Sequence, residues 1–300
     1  MRVTSNLLVR DQLTALQSSA QAMVRAQAQV TTGKRMMAGS DDPVGSRDVM
    51  AADGRLRAIT QYRRGLDTAK GRLALQDQVM TQVTSLLTRA QELTVAAATD
   101  TIDANSRATI QKEVEGMFNE LVALANTSVE GEYLFGGHRV TERPFEVTGT
   151  GTTLTYTTTG AAGDRPIEVD AGRTIIPTDD GATLFLDTGV LDAMRDLAVE
   201  LAGPASAGNT TLRAVGQTLT ASFDAVQERV GALGARASTM DLVGANLDAF
   251  EGSLQAFRSQ ISEVDFEAAA VELISRQNAY QSALLASSKV LGLNLSDYLR

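Results

Sequence analysis

Thr31-Thr-Gly-Lys-Arg-Met-Met-Ala-Gly-Ser-Asp-Asp-Pro-Val-Gly-Ser46 is a stretch of punctuation between two long apolar seams. Gly33 suits the left-handed residue that closes a helix, and Lys34 and Arg35 complement the negative carboxyl end of its dipole. Ser40 or Asp41 can cap the helix that follows, with Pro43 in its first turn, where a missing N–H costs nothing. One helix therefore ends near 32 and another begins near 43. Upstream, Val9, Leu13, Leu16, Ala20, Met23 and Val30 recur at four-three spacing and draw one apolar stripe along a helix that needs a partner.

Downstream, the same rhythm returns four times. Val79, Val83, Leu86, Ala90, Leu93 and Ala97 mark a helix over roughly 44–98, and Ile110, Val114, Met117, Leu121 and Leu124 mark one over 103–128. Val226, Val230, Leu233, Ala237, Met240, Leu247, Leu254 and Ile261 carry a long helix. Phe266, Ala270, Leu273, Tyr280, Leu284 and Leu291 form a last one over 260–291. The prolines divide the chain in the same way: of five, Pro144, Pro166 and Pro177 fall in one segment, and 141–188 also holds thirteen Thr residues. That composition reads as strands and hairpins, with Leu184-Phe185-Leu186 following an Asp179-Asp180-Gly181 turn. The expected fold is mainly α, a helical rod built from both chain ends with a small antiparallel β insert. Its expected parts are an assembly helix and turn (1–43), the rod's first half (44–137), the β-rich middle (138–189), the rod's second half (190–257) and a terminal assembly helix (258–300).

Three hundred residues with 43% hydrophobic but only 4% aromatic content, and no Trp, suit helices packed through Ala, Leu, Val and Ile. With no Cys, disulfides, thiolate metal sites and cysteine nucleophiles are excluded together. A net charge of -9 argues against a nucleic-acid binder, and no apolar run is long enough to insert in a membrane. The first 25 residues are amphipathic and basic, as organellar presequences are, yet their pattern continues into the next segment, so they read as structural and uncleaved. Residues 1–35 carry five bases against Asp11, whereas 261–275 carry Glu263, Asp265, Glu267 and Glu272 with no base, a complementarity that favours pairing the two ends.

Candidate chemistry is sparse. His138 is the sole histidine and lacks a Cys, a second His or an acidic cluster at ligand spacing, so it reads as a boundary residue. Asp187-Thr188-Gly189 matches the aspartic-protease tripeptide, but one copy cannot share a proton without a second, and it reads as a strand-to-helix turn capped by Asp187 or Thr188. Asp179-Asp180-Gly181 lacks the alternating acids of a calcium loop and reads as a hairpin turn. Gly149-Thr-Gly151 lacks the third glycine of a dinucleotide loop. The expectation is a protein with no catalytic residue, cofactor or metal.

Residues 31–46 resemble the turn and Asp-Asp-Pro motif of the flagellin superfamily, with Gly33, Lys34, Arg35, Asp41, Asp42 and Pro43 at the motif positions. Leu124-Ala-Asn-Thr-Ser-Val-Glu-Gly-Glu-Tyr-Leu-Phe-Gly-Gly137 is similar to that superfamily's exit into its middle domain. Within it, Pro43 after Asp41-Asp42, the Arg276-Gln277-Asn-Ala279-Tyr280-Gln281 run and the closing Leu295-Ser-Asp-Tyr-Leu299 resemble hook-associated proteins of type 3 more than flagellins. Met36-Met37-Ala38-Gly39 departs from the more polar stretch of many relatives.

The resemblance implies a structural subunit of the bacterial flagellum, a homo-oligomeric ring between hook and filament. Its implied neighbours are the proximal hook-associated junction protein and flagellin. It also implies export through the flagellar type III apparatus to the outside of the cell, and a cytosolic export chaperone on the last helix. Leu13, Leu16, Met23 and Val30 at one end, and Val271, Ile274, Tyr280, Leu284 and Leu291 at the other, are the expected assembly residues. Flagellin itself and a coiled-coil adaptor are the alternative readings.

Overall fold

The computed structural model describes residues 2–99, 103–203 and 208–298. Among the described residues there are six helices: α1 (Arg2–Thr32), α2 (Pro43–Ala97), α3 (Ala104–Ala125), α4 (Val190–Ala202), α5 (Gly208–Ser262) and α6 (Phe266–Tyr298). Between α3 and α4 lie six short strands: β1 (Ser128–Val129), β2 (Glu132–Tyr133), β3 (Phe145–Thr148), β4 (Thr155–Thr158), β5 (Ile167–Asp170) and β6 (Arg173–Ile175). The architecture is thus mainly helical with a small antiparallel insert. It divides into two compact units, one comprising the chain up to Ala58 and from Ala249 on, the other Ile59–Asp248.

In the second unit α2 and α5 run antiparallel: Arg63 pairs with Asp248 and Lys70 with Asp241, so each step along one helix is a step back along the other. Both follow a seven-residue rhythm. On α2 the buried positions Leu66, Ala69, Leu73, Met80, Val83, Leu87, Ala90 and Ala97 alternate by three and four, with polar Gln76 and Thr94 in the same register. On α5, Leu212, Leu219, Val226, Leu233, Met240 and Leu247 recur every seven. The seam differs in detail from the sequence expectation on α2, where Leu87 is fully buried and Leu86 only half. The sequence places both on apolar spacings, and the neighbouring elements choose between them.

The insert packs as three separate two-stranded ribbons, β1–β2, β3–β4 and β5–β6. Glu130 and Gly131 both have positive φ (54° and 85°), the backbone of a tight hairpin turn whose twist matches its strands. Phe145 on β3 meets Phe185 edge-on at 5.8 Å, and Phe185 meets Phe135 at 5.0 Å, so the aromatic core of the unit sits where ribbons and helices converge. α4 lies against α3 and buries Leu191, Met194, Leu197 and Leu201.

Leu184-Phe185-Leu186 is not a strand. Ala182–Leu186 forms a π-helical turn, closed by Asp187 N–H donating to the Ala182 carbonyl at 2.9 Å. Asp180 nucleates the turn by accepting from the Thr183 N–H at 2.8 Å. Leu184 and Phe185 are both fully buried, which an alternating strand with one wet face does not allow. Likewise α4 is not capped by Asp187 or Thr188. Gly189, at φ 66°, is its cap residue, and the Thr188 hydroxyl donates back to the Leu184 carbonyl.

Candidate assembly surface

The first unit is organised by two turns fastened to each other. α1 ends at Thr32, and Gly33 takes φ 68° while its N–H donates to Gln29 O at 2.9 Å, the left-handed helix stop expected of a glycine. The chain then meets the α5–α6 turn: Arg35 N–H donates to Ser262 O at 2.8 Å and Val264 N–H to Gly33 O at 2.9 Å, around a Lys34–Glu263 β-bridge. Arg35 completes the clasp, its Nε donating to Ile261 O and its Nη2 to Asp42 Oδ2, each at 3.0 Å. Gly45 is buried against this junction, and a Cβ there would meet Ile261 at 3.1 Å and Asp42 at 2.6 Å.

Asp41 and Asp42 divide the capping work differently from the sequence expectation. Asp42, directly before Pro43, caps α2 by accepting from Gly45 N–H at 2.9 Å. Asp41 instead holds the linker, accepting from Met37 and Ala38 N–H at 3.1 and 3.0 Å. The Ala38 and Met37 amides hold the Asp41 carboxyl below the usual carboxylate range; the Gly45 amide and then Arg35 do the same for Asp42. Ser40 makes no cap.

Because Val264 joins Gly33, α6 starts where α1 stops, and the two pack together as an antiparallel arm. Their contact is thin. On α1, Leu16, Ser19, Met23, Ala26 and Val30 alternate by three and four, but only Ala26 is buried. On α6, Ala269 is buried, and Ala270, Leu273, Tyr280 and Ala283 are half-buried in the same register. The proposed assembly residues therefore fall into two sets. Leu16, Met23, Val30 and Tyr280 lie in the half-buried contact, whereas Leu13, Val271, Ile274 and Leu284 are exposed, Val271 at 68% and Ile274 at 59%. The side chain of Leu291 lies outside the described residues. Val24, Leu285 and the heptad-spaced Phe250 and Phe257 are further exposed apolar residues of this unit that seam-reading passed over. The signal was present as a second stripe, offset from the first.

The charge complementarity of the two ends does not act as direct pairing. Among the described residues no ion pair joins α1 to α6; backbone hydrogen bonds at the turns make the connection, and exposed ion pairs would add little.

The candidate catalytic residues are placed in structural roles. The His138 ring sits against Gly163, where a Cβ would overlap it, and Asp180 takes the Gly163 N–H at 2.6 Å. Asp179 is buried and ion-paired to Arg236 Nη1 at 2.6 Å, while Gln76 bonds its backbone on both sides. Among the described residues no group of three His, Cys, Asp or Glu could hold a metal, and no described helix is long and apolar enough to cross a membrane.

Residues 3–139 match the bacterial flagellin N-terminal helical region. The chain is 26% identical over 190 residues to flagellar hook-associated protein 3 of Salmonella typhimurium, covering 62% of this chain and 57% of that protein. It is 27% identical over 146 residues to the Escherichia coli protein of the same name, covering 48% and 46%. The chain thus spans about half the length of the curated relatives it matches. The solved structure of FlgL from Xanthomonas campestris shares its fold, with a TM-score of 0.59 at 16% identity over 69% of this chain and 99% of that one. The chain is thus similar to the bacterial flagellin N-terminal helical region over residues 3–139 and, over about half their length, to proteins named flagellar hook-associated protein 3, whose fold it shares.

Proposed function

We propose that this protein is a structural, non-catalytic subunit of the bacterial flagellum, forming the junction between hook and filament on which flagellin polymerises. The carrying observation is the arm of α1 and α6, which leaves Leu13, Val271, Ile274 and Leu285 exposed on an otherwise thinly buried pair. An arm whose buried contact is this thin gains most of its apolar burial by stacking on neighbours. In this reading copies form a ring through their arms, with the proximal hook-associated junction protein on one side and flagellin on the other. The subunit is exported through the flagellar type III apparatus and acts outside the cell. Before export a cytosolic chaperone covers the last helix, so that Val271, Ile274, Leu284 and Leu291 serve two partners in succession.

Electron microscopy of a strain lacking the gene, with an assay for flagellin in the medium, tests the role. The expected result is hooks without filaments and flagellin lost to the medium. Absent filaments with no secreted flagellin would make this chain the flagellin, and normal filaments would overturn the reading. Leu13→Asp and Leu284→Asp are expected to abolish assembly while changing the monomer's stability by no more than ~0.5 kcal/mol, since both side chains are exposed.

A further inference from the structure

In the second unit, beside α2, lies a cleft of about 350 Å³ lined by Arg64, Thr68, Arg72, Arg165 and Thr178 over apolar Leu134 and Ile167. Arg64, Thr68 and Arg72 stand at four-residue intervals on α2, which places them on one face of the helix. Arg165 enters from the segment before β5. One carboxylate already occupies the cluster: Glu132 Oε2 accepts from Arg72 Nη2 at 2.7 Å and from Arg165 Nη1 at 3.3 Å. Arg72 and then Arg165 hold that carboxyl below its usual range. Arg64 has no ion pair among the described residues, and Arg165 uses a single nitrogen of its fork at a long distance. Three guanidinium groups thus line a concave cleft in which one carboxylate, Glu132, bonds two of them, on a chain whose net charge is -9.

The geometry points to a binding cleft for a carboxylate-bearing ligand, seated beside Glu132 on Arg64 and the open side of Arg165. The planar fork of arginine matches a carboxylate through paired N–H donors, and Glu132 displays the geometry this cluster accepts. The Thr68 hydroxyl is already donated to the Arg64 carbonyl, so Thr178 is left to supply a neutral hydroxyl for the ligand's remaining oxygens, and the apolar lining accommodates the carbon chain between two acids. Two guanidinium groups with donors to spare, those of Arg64 and Arg165, favour a ligand carrying two carboxylates, whether a free dicarboxylic acid or an acidic stretch of another polypeptide. In this arrangement Glu132 competes with the ligand, so removing its charge strengthens binding.

Calorimetric titration of the full chain at low ionic strength tests this, with malonate and a capped tetra-aspartate peptide as probes. The expected result is saturable binding of at least one probe. Arg64→Ala and Arg165→Ala should weaken it roughly tenfold, Glu132→Gln should strengthen it by a similar factor, and Arg55→Ala, an exposed arginine outside the cleft, should leave it unchanged. Malonate binding identifies a free acid as sufficient; binding of the peptide alone identifies a polypeptide source. The absence of saturable binding to both the natural chain and Glu132→Gln would overturn the proposal. So would weaker binding by Glu132→Gln, or a loss on Arg55→Ala equal to that on Arg64→Ala. Circular dichroism melts of each variant separate lost binding from lost folding.

Discussion

The two units of this protein solve opposite problems with the same kind of helix. In the second, Phe118, Phe135, Phe145 and Phe185 are fully buried among leucines and methionines, and the seams of α2 and α5 close almost completely. In the first, the buried apolar residues among those described are Ala26, Ala52 and Ala269, while Phe250, Phe257, Phe266, Val271 and Leu285 face outward. Apolar burial scales with area removed from water, so three alanines contribute only a small part of what four phenylalanines do. The second unit holds itself together. The first is joined by backbone hydrogen bonds at its turns and leaves its large apolar side chains exposed.

The contrast can be broken most directly at Phe185. Phe185→Ala opens a cavity between Phe135 and Phe145 and is expected to cost about 3–5 kcal/mol in denaturant unfolding of the second unit. Val271→Ser in the first unit, at a side chain 68% exposed, is expected to change unfolding free energy by less than ~0.5 kcal/mol. Equal costs at the two positions would refute the division.

Next in size is the buried ion pair. Asp179→Ala leaves the Arg236 guanidinium without its partner and is expected to cost ~2–3 kcal/mol, the lower part of the range for broken buried pairs because Arg236 keeps some contact with water. The contrasting pair in the first unit, Asp53 with Arg258, is about 40% exposed on both sides, and Asp53→Ala is expected to change stability by ~0–1 kcal/mol. A double-mutant cycle on each pair measures the difference.

Gly33→Ala sharpens the reading of the clasp. At φ 68° an alanine is strained although no atom blocks its Cβ, so the expected cost is roughly 1 kcal/mol, seen as faster hydrogen exchange at the Val264 and Arg35 amides.

The smallest effect is a pH dependence. Both Asp41 and Asp42 have carboxyls lowered below their ordinary values by bonds that exist only in the fold. A lowered folded-state value stabilises above the unfolded-state value and is lost as pH falls through the folded one. The linker and cap should therefore loosen below about pH 4, read as chemical-shift changes at the Ala38 and Gly45 amides, and Asp42→Asn should remove the Gly45 part of the response. A clasp that loosened as pH rose would contradict the assignment.

Much of this was legible beforehand because the signals are local. Gly33 and Pro43 marked the stop and start of two helices, four-three spacing marked the long ones, and the Thr-rich, Pro-bearing stretch marked β3 to β6, while β1 and β2 fall before it. Local signals failed where two spacings competed or where burial overrode alternation. Leu184 and Phe185 read as strand because they are apolar and follow a turn, but burial on both residues selected a π-helical turn. The division of the seam residues was equally hidden, since periodicity reports that a face is apolar and not whether anything covers it: Leu13 and Leu16 lie on one seam, yet only Leu16 is half-buried.

The sequence by itself determined the helices, most of the region of strands, the absence of thiol chemistry and the motif over 31–46 that resembles the flagellin superfamily. These depend on residue type and spacing along one segment, which folding does not rearrange. The tertiary structure alone decided the Arg35–Ile261 and Asp179–Arg236 partnerships, the pairing of Arg72 and Arg165 with Glu132, and the meeting of both with Arg64 in one cleft. It alone decided which apolar stripe of α6 turns inward to α1. Each joins residues far apart in the chain, and no local pattern encodes which distant groups meet, because that choice is made by the burial and hydrogen bonding of the folded whole.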